Sequence, residues 1–275
     1  MLLAMSAPIR VLDDSIAVRS RGTGRPIVLV HGNSCSSRSF ELQLAGELAR
    51  SFRVIAIDLP GHGDSAPAAD PERTYTLPGY AAAIARIAEA LDAEDGVFVG
   101  WSLGGHAVLE ASERLSRAAG FAIFGAPPVS SFAEFGGATF PRPEIQAAFL
   151  EHVPPDAARA LVSVFLRPGA ELPAVFLDDV ARTDGRARAC LAASAGRGEL
   201  ADERRIVAAL TRPLAILHGV HEQVVRGDYF ATIEMPTLWR GAVQPIANAG
   251  HAPHWETPAA FDALIGAFAN DCFRS

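Results

Sequence analysis

The chain has 275 residues, 49 % of them hydrophobic, and a formal net charge of −7. It is long enough and apolar enough to bury a sizeable core, which excludes a disordered chain. Every basic residue is arginine and none sits in a long basic run, so nucleic acid is not an expected partner.

The first stretch, MLLAMSAPIR (Met1–Arg10), starts apolar but has no charged region, long apolar core or cleavage site, so no leader is expected. RPIVLVHG (Arg25–Gly32) is a short β-branched run ending in glycine, which predicts a buried strand. SRSFELQLAGELAR (Ser37–Arg50) spaces Phe40, Leu44 and Leu48 as one helix face. FRVIAIDLPGHG (Phe52–Gly63) reads as a strand running into a turn. The segment Leu77–Ala93 reads as a helix with Tyr80, Ile84, Ile87 and Leu91 on one side. GVFVGW is a strand, Leu103–Leu115 a helix, and GFAIFGAP (Gly120–Pro127) a strand again. Such alternation favours a parallel sheet with helices on both faces.

The rhythm then breaks. From Pro128 to Thr211 the chain offers helical pieces divided by Pro and Gly, an expected cap inserted into the α/β core. It resumes with the strand RPLAILHG (Arg212–Gly219), a second strand near Gly241–Ala247 and a last helix, Pro258–Asp271. The expected organisation is core (1–127), helical cap (128–211) and core again (212–275). No run approaches the roughly 18 apolar residues of a membrane span. Cys35, Cys190 and Cys272 are scattered and odd in number, which fits neither a disulfide framework nor a zinc site and makes a reducing cytoplasm the expected compartment.

The chemistry concentrates at Gly100-Trp101-Ser102-Leu103-Gly104, a G-x-S-x-G between a strand and a helix. That turn forces the serine outward, its glycines let strand and helix close up, and the helix N-terminus favours developing negative charge. A serine hydroxyl needs a base. His251, after a glycine and beyond the last strand, is the candidate; His254 is the weaker one. His62, His106 and His218 are assigned structural roles. The acid that orients the base is expected at Glu222, with Asp228 in reserve; the order Ser102, Glu222, His251 is the one this motif carries. Two backbone N–H groups, of Leu103 and Asn33, are the expected oxyanion donors. The Asn33 side chain and Trp101 are candidates for touching substrate, although Trp101 suits plain packing equally well. Cys35 is given no catalytic part.

The motifs HGN (His31–Asn33), DLPGHGDS (Asp58–Ser65), GWSLGG (Gly100–Gly105) and GHAPHWE (Gly250–Glu256), in this order, resemble the α/β-hydrolase superfamily. The resemblance implies an eight-stranded, mostly parallel sheet with a cap over the site, and Ser102 argues against the aspartate-nucleophile branches. HGNSCSSRSF (His31–Phe40), with glutamate as the acid, is similar to serine-type N-acyl-homoserine lactone lactonases, which implies opening of a lactone ring without metal or organic cofactor. The partner is then a small ester or lactone, with no membrane and an undetermined oligomeric state. Phe149, Phe165 and Phe176 are candidates to line an acyl-chain pocket, though their spacing suits core packing too. The segment has no tyrosine to meet a substrate amide. A general carboxylesterase, a carbon–carbon bond hydrolase, a perhydrolase and a ligand receptor are the competing functions.

Overall fold

The structure, a computed structural model, describes residues 9–12 and 15–274. Most of the Met1–Arg10 stretch, and with it the expectation of no leader, lies outside the described residues. One sheet runs in the order β1-β2-β4-β3-β5-β6-β7-β8. Its strands are β1 (Ile9–Val11), β2 (Ile16–Arg21), β3 (Pro26–Val30), β4 (Arg53–Ile57), β5 (Val97–Trp101), β6 (Gly120–Phe124), β7 (Leu214–Gly219) and β8 (Gln244–Ile246). Neighbours from β4 through to β8 pair parallel, and β2 is reversed between β1 and β4. The short β1 merely lengthens the antiparallel edge of a seven-strand body.

Alternate strand residues feed two cores. Val28, Val30, Ile55 and Ile57 point to one face; Ile27, Leu29, Val54 and Ala56 point to the other. Both faces are covered, which is why these strands read as continuous apolar runs. The strand β2 escapes that reading because it carries Arg19, only 5 % exposed. Its guanidinium is balanced by Asp64 at 2.6 Å, a partner far along the chain.

The helices used below are α1 (Leu77–Ala90), α2 (Leu103–Ala111), α3 (Pro155–Val164), α4 (Ala174–Arg182), α5 (Gly185–Gly196), α6 (Glu203–Ala209) and α7 (Pro258–Cys272). Thr76 caps α1 by accepting the Gly79 N–H at 3.0 Å, and a proline follows in the first turn. The single helix expected over Ser37–Arg50 is instead three short turns, Ser37–Phe40, Glu41–Ala45 and Leu48–Ser51. The chain breaks at Gly46, which is extended. A Cβ there would meet the Asp262 carboxylate of α7 at 2.6 Å and the Leu42 carbonyl at 2.6 Å.

Between β6 and β7 lie α3 to α6 and several 3-10 turns, one of them Pro143–Phe149. This segment does not bury a separate core. Leu161, Phe165 and Phe176 join the sheet core around Trp101 and Phe124, while Leu191 and Val207 join the opposite one. No helix among the described residues is long and apolar enough to cross a membrane.

Candidate active site

The turn between β5 and α2 is as tight as its glycines imply. A Cβ on Gly100 would sit 2.3 Å from the Gly104 carbonyl oxygen, and one on Gly104 would sit 2.3 Å from the Val30 carbonyl oxygen. Only a bare backbone lets strand and helix approach that closely. Ser102 between them has φ 52° and ψ −117°, a conformation an L-residue holds only when its surroundings force it. They do so here: its N–H donates to the Phe124 carbonyl at 2.9 Å, and its carbonyl accepts the Gly105 N–H at 2.8 Å.

His251 and Glu222 meet across the C-terminal edge of the sheet. The His251 Nδ1–H donates to both carboxylate oxygens of Glu222, at 3.0 and 2.9 Å. A carboxylate only accepts, so Nδ1 carries a proton, and in the neutral ring Nε2 is left with its lone pair. The two side chains are 1 % and 2 % exposed. Burial pushes the Glu222 carboxyl up, but the charge and hydrogen bond of His251 and the Val224 N–H outweigh it and hold it below the usual carboxylate range. The reserve candidate, Asp228, is not at this site: it is exposed and paired with Arg226 at 2.8 Å. His254 is no alternative base. It is fully buried against Trp101, with ring centroids 4.6 Å apart, and neither ring nitrogen has a hydrogen-bond partner.

Ser102 and His251 line one cavity of about 360 Å³, together with Gly32, Asn33, Trp101 and Leu103. Among the described residues, no hydrogen bond within the fold takes up the backbone N–H of Asn33 or of Leu103. The rest of the wall is largely apolar and includes Leu77, Phe135, Phe149 and Phe165. Three expectations need correction or refinement. Phe176 does not reach the cavity; it is fully buried, packed on Trp101 and Trp255 at 5.8 and 5.0 Å. Trp101 forms wall, but its indole N–H is committed, donating to the His251 carbonyl at 2.8 Å. The Asn33 amide also has partners: its Nδ2 donates to the Ala148 carbonyl at 2.8 Å, and its Oδ1 accepts the Ser34 hydroxyl at 3.0 Å.

The remaining motif residues are braces. Asp58 accepts the Ser37 N–H at 2.6 Å and the Asp64 N–H at 2.9 Å, which ties the loop after β3 to the loop after β4. His31 donates from Nδ1 to the Gly32 carbonyl and accepts the Leu59 N–H on Nε2. Burial, with His31 beside it, pushes His62 down to about 3. The His218 ring packs against Phe230. Cys35 is fully buried, and that burial pushes its thiol pKa up.

Sequence reasoning missed the stitches that hold these loops. Glu256 accepts the Gly250 N–H at 2.6 Å and the Arg167 N–H at 2.8 Å, so one carboxylate joins the His251 loop to the turn that follows α3. Gln223, next to Glu222, donates to the Leu166 carbonyl at 2.7 Å, while Arg142 donates to the Gln223 carbonyl at 2.8 Å. Arg188 of α5 is 3 % exposed and donates to the carbonyls of Leu150, Glu151 and Val180 and to the Ser34 hydroxyl. The only sequence signal was the place of Glu256 inside GHAPHWE; the others join segments far apart in the chain.

Gly125 tests how tightly the histidine is seated. It has φ +62°, and an added Cβ would lie 2.6 Å from His251 Cε1. Gly125→Ala should displace the ring and lower kcat by about 10- to 100-fold. It should also cost about 1 kcal/mol of stability or more, because alanine resists positive φ. Turnover and denaturant melts of the purified variant measure both, and wild-type turnover would show that the ring is not held there.

Comparison with known proteins agrees with this architecture. Residues 27–264 match the Alpha/beta hydrolase family. YisY of Bacillus subtilis (strain 168), an AB hydrolase superfamily protein, is 26 % identical over 265 residues, covering 93 % of this chain and 96 % of its own. A non-heme haloperoxidase of Rhodococcus erythropolis is 31 % identical over 218 residues, covering 74 % and 77 %. Among solved structures, the N-acyl homoserine lactonase AidH complexed with N-butanoyl homoserine matches with a TM-score of 0.89 at 40 % identity, over 94 % of this chain and 93 % of that one. Its S102G mutant complexed with N-hexanoyl homoserine lactone gives 0.90 at 40 % identity, over 94 % and 95 %. The family match spans most of the sheet, the serine turn and the histidine loop: the chain belongs to the alpha/beta hydrolase family.

Proposed function

We propose that the protein is a serine hydrolase that opens the lactone ring of N-acyl-homoserine lactones. The observation that carries this reading is His251, bonded to the buried Glu222 at 2.9 Å and lining one largely apolar cavity with the strained Ser102. A group that holds Nδ1–H on a carboxylate leaves Nε2 free to take a proton, which is what a serine nucleophile requires. The likeness to AidH, which has been seen with N-hexanoyl homoserine lactone and with N-butanoyl homoserine, supports a lactone as the substrate.

In this mechanism Ser102 Oγ attacks the lactone carbonyl while His251 Nε2 accepts its proton. Glu222 stabilises the imidazolium, and the N–H groups of Leu103 and Asn33 hold the oxyanion. His251 then protonates the ring oxygen as it leaves. That alkoxide stays tethered to the acyl-enzyme, so its departure opens the ring. Water, deprotonated by His251, attacks the ester, and Ser102 regains its proton. Residues 128–211 act as the cap, with Phe149 and Phe165 packing the acyl chain and Trp101 holding the His251 loop from beneath.

Mass spectrometry of the enzyme incubated with acyl-homoserine lactones of several chain lengths tests the proposal. The expected product is the lactone plus one water, formed only when Ser102 is present. Release of the free acyl chain would make the protein an amidase. Hydrolysis of chromogenic esters with every lactone left intact would make it a general carboxylesterase.

A further inference from the structure

The cavity holds a second histidine–carboxylate pair that the mechanism does not use. His106 lies on α2 one turn beyond Ser102, its N–H bonded to the Ser102 carbonyl at 3.2 Å. Its Nδ1 donates to both oxygens of Glu203, each at 2.9 Å. Glu203, at the start of α6, is fully buried and also accepts the Val129 N–H at 3.1 Å. Glu203 is therefore held as an acceptor, and His106 carries its proton on Nδ1.

The other ring nitrogen, Nε2, makes no hydrogen bond within the fold among the described residues. The side chain keeps 10 % of its surface exposed and forms part of the cavity wall. Around it that wall is apolar, with Phe135 edge-on at 5.3 Å and Leu77, Leu103, Leu191 and Leu200 lining the same space. Burial acts to lower the His106 pKa, but the charge and hydrogen bond of Glu203, aided by Glu110 further along α2, hold it above the ordinary histidine value. The ring charged by that pairing carries its second proton on Nε2, which faces an otherwise greasy pocket. Such a donor, left without an acceptor, costs the complex the desolvation of a charged group.

Distance says which acceptor fits. Four residues of helix rise about 6 Å, and the His106 side chain leans back along α2 toward Ser102. From the lactone carbonyl carbon at Ser102, the third carbon of the acyl chain is five bonds away, about 6 Å when extended. We infer that His106 is a specificity-determining residue whose Nε2–H binds an oxo or hydroxyl oxygen on the acyl chain at about its third carbon. This rests on the lactonase reading above and adds which acyl chains it favours: oxygen-bearing ones over plain ones of the same length.

The experiment compares hexanoyl and 3-oxohexanoyl homoserine lactones on wild type, His106→Leu and the double variant His106→Leu/Glu203→Leu. The double variant removes the buried carboxylate with its partner, so that no unpaired charge unfolds the site. Wild type should favour the oxo substrate by about 10-fold or more in kcat/KM, the scale of one charged hydrogen bond. Both variants should lose that preference while opening the plain lactone within a few-fold of the wild-type rate. An unchanged preference in either folded variant, or none in wild type, overturns the inference and leaves the lactonase reading standing. Failure of wild type to open either lactone overturns both.

Discussion

Replacing Ser102 with alanine is expected to lower turnover by about four orders of magnitude or more, because the proposed nucleophile has no substitute. Stability should hardly move. Alanine keeps the Cβ, so the positive φ of 52° and the strain it stores remain. Ser102→Gly separates these two properties. It removes the same hydroxyl but relieves the backbone, and should raise unfolding stability by about 1 kcal/mol after the entropy glycine loses on folding. Burst kinetics on a lactone, beside urea melts of the three proteins, measure both. If Ser102→Ala turned over within tenfold of wild type, the nucleophile would have to lie elsewhere. If Ser102→Gly were the least stable of the three, the turn would not be strained as its dihedrals indicate.

The parts of this molecule that could be read from sequence are those in which one short segment carries its own reason. The glycines around Ser102 announce a strand and helix in contact, and the contacts they relieve are the observed ones. The contact between Glu222 and His251 was legible through their order and their places after strands. What was hidden depends on partners distant in sequence. Arg19 breaks the apolar run that marks a buried strand in β2, and its balancing Asp64 lies 45 residues further along the chain. Phe165 and Phe176 both sit in the helical segment, yet one faces the cavity and the other Trp101. Helical spacing distinguishes buried from exposed but does not separate a core from a cavity wall. Trp101 shows the same limit. Its place beside Ser102 suggested substrate contact, whereas its indole N–H holds the backbone of His251. His106, read as a structural residue, became a candidate for recognition only once Glu203 was placed behind it and open space in front.

Glu222→Gln should lower kcat by about three to four orders of magnitude with little change in shape, and the reason lies in the tautomer of His251. Glu222 Oε1 also accepts the Val224 N–H at 2.7 Å. In a glutamine that bond keeps the amide oxygen turned toward Val224, which aims the NH2 group at His251. Nδ1 must then accept instead of donate, and the ring proton moves to Nε2. There it blocks the transfer of the Ser102 proton. Glu222→Asp keeps the charge on a shorter arm and should lose far less, about tenfold. Asp228→Asn should change nothing, because that carboxylate is exposed and bound to Arg226. Stability supplies an independent check. The folded protein holds the Glu222 carboxyl below its ordinary value of 4.5. Its ionised form therefore stabilises the fold above that ordinary value, and the contribution fades as pH falls through the lowered one. The stability of wild type relative to Glu222→Gln should decline across that acid window and level off below it. A relative stability that stayed flat through acid, with turnover of Glu222→Gln within threefold of wild type, would remove Glu222 from the proposed mechanism and leave His251 without the group that fixes its proton.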